Sequence, residues 1–62
     1  MNLTKQELLE LRRMLVQLLK EVDFQIEAYD PREYDEKFDF LIKKARSYRD
    51  VIVRINQELE EL

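Results

Sequence analysis

Sixty-two residues without a Cys or a His make one domain at most, and they exclude disulfides and any metal site built on thiolate or imidazole. A net charge of −3 argues against a general nucleic-acid binder, whose surface is normally basic. A hydrophobic share of 45% is too high for a disordered chain, and with no Gly and one Pro little interrupts a helix.

The first helix start is Thr4 followed by Glu7. The Thr hydroxyl can accept from the N–H of Glu7 while the Glu side chain reaches back to Thr4, which is a capping box. Beyond it, Leu8, Leu11, Leu15, Leu18 and Val22 recur at the alternating three- and four-residue steps of a helix seam. Leu9, Val16, Leu19 and Ile26 form a second apolar stripe, displaced around the helix by roughly 90°, where a single neighbour needs an arc of only about 100° in all.

A second start lies at Asp30-Pro31-Arg32-Glu33: Asp30 as N-cap, Pro31 at the first helical position where its missing N–H costs nothing, Glu33 in the first turn. The residue before a proline resists helical geometry, so the first helix is expected over about 4–28, a turn at about 29–31, and a second helix over about 31–61. From Tyr34 onward Phe38, Leu41, Ala45, Tyr48, Ile52, Ile55, Leu59 and Leu62 keep the heptad spacing without a miss. A link of two or three residues makes the helices antiparallel neighbours. The expected fold is all-α, a coiled-coil-like two-helix hairpin forming a single domain over 1–62.

Folding about that turn pairs positions whose numbers total about 63. Leu8 then meets Ile55, Leu11 meets Ile52, Leu15 meets Tyr48, Leu18 meets Ala45 and Val22 meets Leu41, with Lys5, Glu10, Arg12 and Glu21 beside Glu58, Arg54, Asp50 and Lys43. A chain this small, without disulfide or metal, usually needs self-association. The second stripe of Leu9, Val16, Leu19 and Ile26 is therefore expected to be the interface of a homodimer, giving a four-helix bundle. In architecture alone, such a bundle resembles the dimeric Rop-type regulators of plasmid copy number.

Catalysis is not expected. The usual general base and the best nucleophile are missing, Ser47 is the one Ser and has no base at a catalytic spacing, and without Gly there is no phosphate-cradling loop. No catalytic residue, cofactor site or metal site is assigned. The segment holding Lys43, Lys44, Arg46 and Arg49 is a basic strip suited to an acidic partner or a phosphate backbone. Tyr29, Tyr34 and Phe38 fit the seam and should close the core beneath the loop. Phe24 and Phe40 do not fit it, and large aromatics off the buried face mark recognition surfaces. The expected function is a small non-enzymatic, regulatory protein-interaction module acting as a hairpin dimer, with Phe24, Phe40 and the basic strip as its candidate contacts. The alternative is an RNA- or DNA-binding four-helix bundle using Lys43, Lys44, Arg46 and Arg49. No leader and no apolar run near the ~20 residues of a membrane span is seen, so a cytoplasmic protein with no membrane contact is expected.

Overall fold

A computed structural model describes residues 2–62 as two antiparallel helices packed along their length. They form a rod of 46 × 14 × 14 Å. Helix α1 spans Lys5–Glu27 and helix α2 spans Glu36–Glu60. No described helix is long and apolar enough to cross a membrane.

The first helix starts where its sequence says. The Glu7 N–H donates to Thr4 Oγ1 (3.2 Å) and the Thr4 N–H donates to Glu7 Oε1 (3.1 Å), so two donors that the first turn leaves unpaired are satisfied reciprocally. The second helix does not start at Pro31 as expected. Asp30 accepts from the Arg32 N–H (3.0 Å) and opens only a short 3-10 turn, Pro31–Glu33, after which Tyr34 is extended. The α-helix begins one cap later: Asp35 Oδ1 accepts from the Phe38 N–H (3.0 Å) and also from the Tyr29 hydroxyl (3.1 Å).

An aromatic cluster accounts for the delay. With Tyr34 extended, its ring stacks on Phe38 at 4.2 Å between centroids, and Tyr29, just beyond the end of α1, packs on the same ring at 5.4 Å. Such ring pairs contribute about 0.5–1.5 kcal/mol beyond the area they bury, an advantage that a continuous helix from Pro31 would forgo. Tyr29 and Phe38 are half-buried and Tyr34 is exposed, so the cluster closes the core from one side only.

The helix register also differs from the expected one. Cross-helix contacts join Tyr29 to Phe38, Arg12 to Asn56 and Asp23 to Arg49; their numbers total 67, 68 and 72, not 63. The first two set the total near 67; Arg49 then lies five residues from level with Asp23, about 7–8 Å at the helical rise, and meets it through the combined length of the two side chains. The helices have slid by one seam step. At a total of 67 Val22 falls level with Ala45 rather than Leu41, and Leu15 with Ile52 rather than Tyr48. The cause is the loop. Beyond α1 the chain runs on beside the first turn of α2, as the Tyr29–Phe38 contact requires, before residues 31–33 turn it back.

The fully buried side chains are Leu8 and Val22 in α1 and Ala45 and Ile55 in α2. In α2 the whole expected seam from Phe38 to Leu59 is buried or half-buried, whereas Leu62 at its end is exposed. In α1 the seam is rotated relative to the expectation. Leu18, expected to face Ala45, is 40% exposed, while Arg12, Leu19 and Ile26 are half-buried. Stepping four and three from Leu8 through Arg12, Leu15, Leu19, Val22 and Ile26 to Tyr29 follows the buried side without a break. Arg12 is half-buried in that row, and its guanidinium reaches Asn56 Oδ1 at 2.8 Å, as a long side chain with an aliphatic stem and a charged head can.

Candidate interaction surface

The two phenylalanines that break the heptads come together. Phe24 leaves α1 near its C-terminus and Phe40 leaves α2 near its N-terminus. Both line one open groove of about 480 Å³ at the loop end of the rod, with Gln25, Ala28, Tyr29, Lys37 and Leu41. Its walls are mainly apolar, yet Phe24 and Phe40 are 72% and 63% exposed. A shallower hollow continues past Phe24 to Lys20 and Glu21.

The groove is placed by the loop described above. Tyr29, its floor on the α1 side, is held by the Phe38 ring and by its hydrogen bond to Asp35. Burial, then the bond to Asp35, pushes the Tyr29 phenol above its ordinary pKa, favouring the neutral form that donates. The Phe38 N–H, more than the Tyr29 hydroxyl, holds the Asp35 carboxyl below its ordinary range despite partial desolvation. Both shifts favour the same pairing at neutral pH, a neutral phenol donating to a carboxylate.

Two cations of the basic strip have neighbours within the hairpin. Arg49 pairs with Asp23 across the helices at 3.0 Å. The Lys44 ammonium stands 5.9 Å from the ring centres of both Phe40 and Tyr48, on the other side of α2. At about 100° per residue, Lys43 and Arg46 point away from the seam, between these two directions. Lys43, Arg46 and Arg49, three residues apart, follow one another around the outer side of α2, and Lys44 stands apart from them beside Phe40 and Tyr48.

Leu9, Val16, Leu19 and Ile26, the expected dimer contacts, are all half-buried within the single hairpin. Leu19 and Ile26 lie in the rotated seam itself; Leu9 and Val16 lie farther round, on the side where Arg12 meets Asn56. The most exposed large apolar side chains in the middle of α1 are instead Met14 (63%) and Leu18 (40%). Met14 was missed by sequence reasoning because it fits neither stripe drawn on α1.

Among the described residues no group of three or more His, Cys, Asp or Glu is placed to hold a metal ion, and no buried side-chain polar atom lacks a partner. No family model, curated protein or solved structure matches the chain.

Proposed function

We propose that the chain is a small non-enzymatic interaction module of a regulatory kind. It works as a homodimer of hairpins, a four-helix bundle, and offers the groove at the loop end to another protein. The observation that carries this reading is the convergence of Phe24 and Phe40 on one apolar groove while both stay mostly exposed. At solvated helix positions Glu, Lys or Gln would ordinarily stand there. A phenylalanine pair rimming a hollow suits a protruding apolar side chain of a partner, the usual anchor of a protein interface. Support for the dimer comes from the size of the core: four buried hydrophobic side chains among the described residues are few for a chain whose composition offers no disulfide to hold it. The nucleic-acid reading is weaker, because Arg49 is already paired with Asp23 and Lys44 stands beside Phe40 and Tyr48, apart from the other three.

The double variant Phe24→Ser, Phe40→Ser tests the groove. Its helix content and melting temperature should stay close to those of the parent, because neither ring is part of the core, while capture of the natural partner should be lost. A melt lowered to the extent of a core phenylalanine truncation, about 3–5 kcal/mol, or capture that survives both changes, would count against the groove as the binding site.

A further inference from the structure

We infer that a second copy of this chain docks on the flank of the rod that carries Leu11, Met14, Leu18 and Val51, not on the flank of Leu9 and Val16. The inference rests on the dimer proposed above and specifies its surface.

The hairpin has two long flanks, and the structure treats them differently. On one, Arg12 of α1 donates to Asn56 of α2 at 2.8 Å and Asp23 of α1 accepts from Arg49 of α2 at 3.0 Å. Leu9 and Val16 stand on the α1 side of these bridges, at the spacing of three or four residues that places side chains in one row. Val53 stands on the α2 side, between Arg49 and Asn56. A second hairpin laid here would have to cover two polar bridges.

The other flank is identified by the loop-end groove. Gln25 of α1 and Phe40 of α2 both line it, so the rows that contain them share a side. Stepping back from Gln25 by four, three and four residues gives Glu21, Leu18 and Met14; stepping on from Phe40 gives Lys44, Ser47 and Val51. Leu11 lies between that α1 row and the seam. In the register set by the cross-helix contacts, Val51 is level with Val16, midway between Met14 and Leu18. The middle of this flank is therefore apolar on both helices, with Met14 63% and Leu18 40% exposed and Leu11 and Val51 half-buried. Leu11, Met14, Leu18 and Val51 carry neither a charge nor a hydrogen-bond donor on their side chains, so nothing polar has to be covered at that point.

The occupant is a second copy because the deficit belongs to the isolated chain. With Leu8, Val22, Ala45 and Ile55 as its only fully buried hydrophobic side chains among the described residues, the hairpin needs cover along the middle of both helices at once. A like hairpin laid lengthwise supplies that cover, and a two-fold dimer sets the same patch of each copy against the other.

The chain has no cysteine, so single nitroxide labels can report the contact directly. Met14→Cys and Val53→Cys variants, one on each flank, are labelled and compared by dipolar broadening and sedimentation. The expected result is a dimer with strong broadening between copies for the Met14→Cys label and little for the Val53→Cys label. Alongside, Met14→Asp with Leu18→Asp should lose the dimer, by dissociating or unfolding it, whereas Val53→Asp should retain it. A dimer with strong broadening only at Val53→Cys overturns the choice of flank while leaving the dimer standing. An unlabelled parent that is monomeric and cooperatively folded overturns the dimer itself.

Discussion

Ile55→Ala is expected to remove most of the folded population at ambient temperature. Ile55 is 0% exposed, so truncation deletes a wholly buried side chain and leaves a cavity. Such changes cost about 2–5 kcal/mol, which is comparable to the roughly 3–5 kcal/mol that a core of this size supplies in total. Circular dichroism should show the helical signal at 25 °C largely lost, or a thermal midpoint shifted far down. Val53→Ala, two residues away but 53% exposed, serves as the control and should stay within about 0.5 kcal/mol of the parent. Equal losses in the two variants would mean that α2 is rotated from the orientation described.

Ala45→Phe should be the most damaging of the enlarging changes. Ala45 is 1% exposed, is the only small residue in the α2 seam, and falls level with the buried Val22 in the register set by the Tyr29–Phe38 and Arg12–Asn56 contacts. With Ala45 almost wholly inaccessible, a ring there would have to force the helices apart or adopt a strained rotamer. Overpacking of this kind costs about 1–3 kcal/mol, a drop of roughly 5–20 °C in the midpoint for a domain of this length. An unchanged midpoint would place Ala45 off the seam, which its burial and the register derived from Tyr29 and Arg12 do not allow.

The hairpin itself was legible in the sequence, and so was one of its two seams. The α2 heptads hold from Phe38 to Leu59 because that helix is apolar along one narrow stripe, so only one frame fits. In α1 the apolar arc is broad, and two frames share Leu8, Leu15 and Val22. The frame completed by Leu11 and Leu18 looked better than the one completed by Arg12, Leu19 and Ile26, because a charged residue seemed out of place in a seam. Arg12 is half-buried there, and its guanidinium finds Asn56; a polar residue on the facing helix was the only available hint.

The register was misjudged for a related reason. Asp30 and Asp35 are both competent N-caps, and the sequence alone favours the first because a proline follows it. What decides for Asp35 is the cluster of Tyr29, Tyr34 and Phe38, a tertiary contact that local rules do not contain. The groove was legible in part. That Phe24 and Phe40 leave their heptads, and stand at the same end of the rod, follows from spacing. That they share one hollow with Tyr29 and Leu41 depends on the loop conformation.

Whether two copies of this hairpin assemble is decided most directly by sedimentation equilibrium of the parent chain at micromolar concentration, read together with its melting curve. The expected result is a species of twice the chain mass, with a melting temperature that rises as concentration rises, since association stabilises by mass action. A species of single-chain mass that still melts cooperatively at a concentration-independent temperature would contradict it.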